Sequence, residues 1–285
     1  MANLSALKRR IKSINNTLKT TAAMQLIASV KMRRAVDLAQ NSRAFAQAAE
    51  EILARLLQRP LDGSHPLLEE REVKRVTLVV LAAEKGLCGS FNSDVIRQAA
   101  TRAKEWQEKG AVVSFVAVGK KARSINRYGD VAAYFTDLGE TVSLAESSPV
   151  GRFVLDSFTA GECDRVEVVY KKFVSTLKQE TANVALIPVD RGAPTNEAND
   201  WVYSFEPSAE AVLEAVLPFL VRSRLFQMML ESDASEQAAR MVAMQSATDA
   251  GRDLSADLVF TANSIRQEKI TAEVAEITSG TAAMQ

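Results

Sequence analysis

Few residues in the 285-residue chain have side chains suited to chemistry. His65 is the single histidine, in a Gly-Ser-His-Pro stretch that reads as loop. It cannot build a histidine zinc site, and a Ser-His-Asp triad would have no other imidazole to draw on. Cys88 and Cys163 are the two cysteines. With no CxxC pair and no secretory apolar segment near the start, they read as unpaired thiols in a reducing compartment. Cys88 would be a nucleophile only as a thiolate, and with Lys85 as its one basic neighbour it reads as inert. Phosphate chemistry would need a glycine cradle. The loop AEKGLCGSFNSD, residues 83–94, spaces Gly86 and Gly89 as GxxG but contains neither GxxxxGK[ST] nor GxGxxG. Gly119-Lys120-Lys121 lacks both the earlier glycine and the hydroxyl that would hold magnesium. These glycines read as strand-to-helix turns, with Asn92 or Ser93 capping the next helix and Glu84 and Lys85 in solvent. Asn15-Asn16-Thr17 fits the N-glycosylation pattern but sits in a helical stretch. None of these residues is singled out as catalytic, metal-binding or cofactor-binding.

The elements around these residues are more telling. Residues 2–59 hold no proline or glycine, and Pro60 with Gly63 closes the segment. Steps of three and four from Leu4 select Leu4, Leu7, Ile11, Ile14, Leu18, Thr21, Gln25, Ala28, Met32, Ala35, Ala39, Ser42, Ala46, Ala49, Leu53 and Leu56. A 3.5-residue repeat held this long predicts a coiled coil, because a straight helix drifts by about 20° per heptad from such a stripe. Its first five positions are large aliphatics, and the middle of the seam is mostly small, which lets a partner helix come close.

A second helical region starts at Glu206-Pro207-Ser208 and runs almost to Gly280. Pro218 is expected to open a new stretch or kink the first, and Gly251 to cost about 1 kcal/mol in a helix interior. Val221, Leu225, Met228, Ser232, Ser235, Ala239 and Val242 keep the spacing. After a phase change Leu254, Leu258, Thr261 and Ile265 carry it on, and ITAEVAEI forms a third patch. Between the two regions lie short β-branched runs at 76–82, 112–118, 131–135 and 166–170, alternating with helical stretches at 93–109 and 120–128. That alternation predicts βαβ units in a mainly parallel sheet, with 165–173 and 183–189 close enough to pair antiparallel. The expected fold is a Rossmann-like α/β domain (74–200) inserted between N-terminal (1–59) and C-terminal (207–285) helices that form a long antiparallel coiled coil.

Charge agrees with that pairing. Residues 1–59 carry eleven Lys or Arg against three Asp or Glu, and residues 207–285 carry six against eleven. The ends are complementary, although each exposed pair contributes only about 0–1 kcal/mol. Phe45 is the sole aromatic in the basic segment, which argues against nucleic acid as a partner. No run of 18 apolar residues appears, so no membrane span is expected. On residue types alone, two further readings stay open: a nucleotide- or phosphate-dependent α/β enzyme dimerised through its terminal helices, and a coiled-coil scaffold.

Longer motifs narrow the choice. IKSINNTLKTTAAMQLIASVKMRRA (11–35), GLCGSFN (86–92), VGKKA (118–122), YKKFVSTLKQE (170–180), SEQAARMVAMQSATDA (235–250) and RQEKITAEVAEITSG (266–280) resemble, in order and over nearly the whole chain, the gamma subunit of F-type rotary ATP synthase. The resemblance implies a non-catalytic central rotor shaft that couples ion flow to ATP synthesis or hydrolysis. It implies the alpha and beta subunits of the catalytic ring, the epsilon subunit and the membrane c-ring as partners, with only indirect membrane association. Its place would be peripheral, on the cytoplasmic face of the bacterial plasma membrane. The positions it marks as rotor-ring contacts are Met24, Lys31, Arg33, Arg34, Lys85, Gly86, Leu87, Cys88, Gly89, Arg240, Gln267 and Thr271. By residue type alone the arginines read as solvated coiled-coil flanks. Ala22, Glu84, Lys85, Gln245 and residues 261–265 depart from the family pattern, which puts torque and regulatory contacts in doubt there.

Overall fold

The computed structural model describes residues 4–56, 65–69, 71–139, 142–189, 206 and 208–283. Pro60, Gly63 and Pro207 lie outside the described residues, as do the side chains of Ala46, Ala49, Leu53 and Leu56. The chain forms two compact units, Met1–Ala28 with Met241–Gln285, and Ser29–Arg240.

The second unit is built on a five-stranded sheet in the order β3-β2-β1-β4-β5. The strands are β1 (Arg75–Leu81), β2 (Val112–Val118), β3 (Val131–Phe135), β4 (Arg165–Phe173) and β5 (Gln179–Ile187). All neighbours are parallel except β4 and β5, the pair expected to be antiparallel. Six of the seven β1 residues are buried, as a central parallel strand covered on both faces requires. Val76, Leu78 and Val80 face Val95, Ala99 and Ala103 of α2 (Phe91–Glu108) and a 3-10 segment at Lys120–Arg127. Val79 and Leu81 face α3 (Leu144–Thr159) and Leu213, Leu217, Leu220, Val221 and Leu225 of α4 (Ala209–Ala283).

Helix α3 has no counterpart in the sequence expectations, since Pro149 sits inside it and its apolar spacing is weak. Its start is nevertheless written in the chain: Ser143 and Glu146 form a capping box, with Glu146 also accepting from the Gly139 amide. Helix α4 begins where expected, with the Ser208 hydroxyl accepting from the Ala211 amide at 3.2 Å. It then runs through Pro218 as one helix, so no new stretch opens there. The bond that Pro218 cannot donate would fall on the carbonyl of Glu214, an exposed residue, so water can satisfy it.

In helix α1 (Leu4–Leu56) every stripe position from Leu4 to Ser42 is buried or half-buried, and the residues between are mostly exposed. Met24, Ser29, Lys31 and Val36 widen the covered face. In the first unit α1 and α4 pair antiparallel. The Thr21 and Thr248 hydroxyls meet at 2.8 Å, Leu18 packs over Gly251, and Ser255 donates to Asn15 Oδ1 at 3.0 Å. The seam of α4 there passes through Met244, Thr248, Gly251, Ser255, Leu258, Ala262 and Ile265, all of them buried or half-buried. Of the expected seam, Leu258 and Ile265 lie on it, whereas Leu254 and Thr261 are exposed. Where the helices meet at Thr248, Gly251 and Ser255 small side chains line the seam, so hydrophobicity alone does not mark it there.

Candidate functional site

The loop after β1 is where a sheet of this kind usually holds a ligand. Here it is tied down by its own chain. Asn92 accepts from the Ala83 amide at 2.9 Å and donates to Cys88 Sγ at 3.2 Å. Asn92 and Ser93 therefore do not cap α2 as expected: the helix starts earlier, and the Asp94 amide bonds the Ser90 carbonyl. Leu87 and Gly89 both take left-handed backbone angles, so the turn lifts the Leu87 side chain outward while Cys88 points in. Gly119 has a different purpose from phosphate binding. A Cβ there would lie 2.1 Å from the Ala82 carbonyl oxygen, so only glycine lets these two strand ends meet.

Arg240 of α4 closes the site from the other side. It is 8% exposed, donates to the carbonyls of Gly86 (3.3 Å) and Lys85 (3.5 Å), and pairs with Glu236 at 2.6 Å and Gln237 at 3.0 Å. Ala239 packs on Ala83, Cys88 and Phe91 beside it. Burial pushes the Glu236 carboxyl up, against the pull of Arg240, and burial with the Glu236 charge raises the Cys88 thiol. The thiol is thus neutral, covered and unreactive. At the start of α2, where a phosphate would sit, Asp94 takes the place of an anion and binds Ser90 (2.7 Å) and Lys171 (2.7 Å). The nucleotide reading loses its site to these residues.

The remaining chemistry-bearing residues are also structural. His65 is more than a loop residue: its Nδ1 accepts from the Leu67 amide at 3.1 Å and caps a 3-10 turn, and burial lowers its pKa. Glu84 is not in solvent as expected, because it accepts from the Leu138 amide at 3.3 Å and lies 3.8 Å from Lys120. Among the described residues no group of three or more His, Cys, Asp or Glu is placed to hold a metal ion, and no helix is long and apolar enough to cross a membrane.

The residues marked by the resemblance fall into separate places. Lys85, Gly86, Leu87, Cys88 and Gly89 share one loop with Arg240 behind it; Lys85, Leu87 and Gly89 are exposed, Gly86 half-buried, and Cys88 and Arg240 buried. In the same unit Arg33 and Arg34 are exposed on α1 and Lys31 is half-buried. In the other unit Met24 is half-buried, and Gln267 and Thr271 lie on the exposed stretch of α4 beyond Ile265. Of the departures, Ala22 and Gln245 are exposed. The anchoring of the loop by Arg240 has no sequence signal, since its acceptors are backbone carbonyls 154 and 155 residues away.

Two long helices that pair with each other, and a five-stranded α/β sheet whose loop after β1 is braced by the chain's own Arg240, define a paired-helix α/β protein. Residues 3–284 match a family model described as ATP synthase. The chain is 40% identical over 287 residues to the ATP synthase gamma chain of Desulforamulus reducens, and 39% identical over 291 residues to that of Stenotrophomonas maltophilia strain R551-3, covering 100% of both chains each time. Among solved structures, it is similar to a chain of the Euglena gracilis mitochondrial ATP synthase OSCP/F1/c-ring assembly in rotational state 3, with TM-score 0.66, 18% identity, and 99% of this chain and 94% of that one covered. It is also similar to a chain of the Tetrahymena thermophila mitochondrial ATP synthase central stalk and c-ring, with TM-score 0.60, 23% identity, and coverage of 80% and 99%. The chain belongs to the ATP synthase gamma chain family, whose members are non-catalytic stalk subunits.

Proposed function

We propose that the chain is the central rotor shaft of an F-type ATP synthase. It couples ion flow through the membrane c-ring to ATP synthesis or hydrolysis in a ring of alpha and beta subunits, with an epsilon subunit as a further partner. The observation that carries this reading is the first unit: two helices that pair along one mixed seam of aliphatic and small residues and present exposed Leu26, Ile27, Phe260, Ile270, Val274 and Ile277 outward. A shaft turning in a sleeve needs a surface free of contacts that trap one orientation, since a hot spot worth about 2 kcal/mol or more at each position would stall it. An asymmetric shaft then favours a different conformation in each surrounding subunit as it turns, which converts rotation into changing affinities.

Three parts divide the work: the helices of 1–59 and 207–285 as the shaft, and 74–200 as the part that meets the c-ring and epsilon. Met24, Lys31, Arg33, Arg34, Gln267 and Thr271 are the ring contacts on the helices. Lys85, Gly86, Leu87, Cys88 and Gly89 form the loop facing the ring, with Leu87 as its exposed tip and Arg240 as the brace behind it. The complex lies peripherally on the cytoplasmic face of the bacterial plasma membrane. Affinity purification of the tagged chain from mild detergent tests this. A latent ATPase with small hydrophobic membrane subunits is the expected companion, and a chain that purifies alone contradicts the reading.

A further inference from the structure

Rotor function requires that torque pass between the sheet and the paired helices, and one buried carboxylate is placed where it would pass. Glu231 of α4 is 6% exposed in the second unit. A carboxylate so far from water is tolerated only when it is well bonded. Its partners come from three elements. Arg43 Nη2 of α1 donates to Oε1 at 3.0 Å, the Tyr170 hydroxyl of β4 donates to Oε2 at 3.4 Å, and Gln227 Nε2 of α4 donates to Oε1 at 3.2 Å. Gln227 Nε2 also reaches the Ala39 carbonyl of α1 at 3.1 Å. Tyr170 is itself 5% exposed, within the apolar core between the sheet and α4.

From Ala35 to Ala39 the covered face of α1 is mostly alanine, which offers close approach but little resistance to sliding or turning. Directional bonds to a charged centre supply that resistance. If stability alone were at stake, an apolar side chain of similar size would serve as well or better, because burying the ion offsets much of what its bonds contribute.

The geometry points to Glu231 as the positioning residue that keys α1 and α4 to the sheet and so carries torque between them. The inference rests on the rotor reading, but the tie itself can be tested on the isolated chain. Spin labels on cysteines placed at the exposed Gln40 of α1 and Ser175 after β4 report their distance distribution, the native Cys88 and Cys163 being buried. Glu231→Ala should broaden a narrow wild-type distribution, and Glu231→Gln, which keeps one acceptor oxygen, should broaden it less. Tyr170→Phe and Arg43→Ala, which remove the donors singly, should do so too, and they keep the test usable if the alanine variant folds poorly. In the assembled complex, Glu231→Ala should lower ions pumped per ATP hydrolysed about two-fold or more, as losing a charge-assisted network would. An unchanged distance distribution overturns the tie. A broadened distribution with an unchanged pumping ratio overturns its role in torque. Failure of the wild-type chain to join an ATPase overturns the rotor reading and the torque role together, while the distance measurement still decides the tie.

Discussion

The same two helices behave differently in the two units. In Ser29–Arg240, α4 buries Leu217, Leu220, Val221 and Leu225 completely against the sheet and α3, and Glu231 and Arg240 bond to α1, β4 and the loop after β1. In the other unit, among the described residues, α4 packs on α1 through Met244, Thr248, Gly251, Ser255, Leu258, Ala262 and Ile265, while Phe260 is 77% exposed. One region is anchored by fully buried aliphatics and charged bonds, and the other by half-buried aliphatics, small residues at close range and two neutral hydrogen bonds. A helix pair that must turn inside partners gains from this division. Firm attachment belongs where the helices join the sheet, and a thin pair with replaceable outer contacts belongs where they meet other subunits.

Substitutions can break or sharpen that contrast. The largest effect should come from truncating the anchored region: Leu225→Ala should cost about 2–5 kcal/mol in denaturant unfolding, whereas Leu18→Ala, at a half-buried seam position, should cost clearly less. Equal losses would erase the distinction.

Electrostatics give the next effect. Glu167 is 1% exposed on β4; burial would raise its pKa, but bonds from Arg102 (2.7 and 2.9 Å), Asn183 (2.9 Å) and Arg165 (2.8 Å) hold it at about 2, below its usual 4.5. Because the folded value is depressed, its stabilisation is present above pH 4.5 and is lost as pH falls toward 2. Glu167→Gln should therefore cost on the order of 2–3 kcal/mol at neutral pH and flatten stability between those two pH values. An unchanged acid profile would show that the carboxylate is not held this way.

Smaller effects belong to the seam. Thr248→Val removes the donor to the Thr21 hydroxyl, which keeps its own bond to the Leu18 carbonyl at 3.1 Å, and should cost about 0.5–1.5 kcal/mol, and adding Thr21→Val should recover part of it. At Gly251, a Cβ would lie 2.7 Å from a terminal methyl of Leu18. That methyl can swing aside for about 0.5–1.5 kcal/mol, close to what alanine gains over glycine in a helix, so Gly251→Ala should be nearly neutral. Gly251→Leu overpacks the seam and should cost about 1–3 kcal/mol by the same unfolding assay. The smallest effect on stability should follow deletion of residues 266–285, which leaves the melting temperature of the isolated chain nearly unchanged. In the complex the same deletion should weaken ATP-driven ion pumping before it abolishes assembly, and untouched pumping would remove Gln267 and Thr271 from the ring contacts.

Much of this organisation is legible in the chain. The heptad stripe of α1 is visible because its large and small positions keep the 3.5 spacing from Leu4 to Ser42, and β2 and β3 follow from their β-branched runs. The seam of α4 in the first unit is only partly legible: Leu258 and Ile265 mark it, but glycine, serine and alanine line the rest while Leu254 faces out. Nothing local tells Arg240 from a solvated arginine, or Glu231 from a surface glutamate, since their partners lie far away in the chain. Helix α3 is masked by Pro149 and betrayed only by its Ser143-Glu146 cap.

The most direct test of an axle made from both ends of the chain is a disulfide across it. Cysteines replacing Thr21 and Thr248, whose hydroxyls meet at 2.8 Å, are introduced into the assembled complex, and ATP hydrolysis and ion pumping are followed before and after mild oxidation. The two helices turn together in this account, so the bond should form readily and leave both rates unchanged. A bond that does not form, or one that halts turnover when it closes, would contradict it.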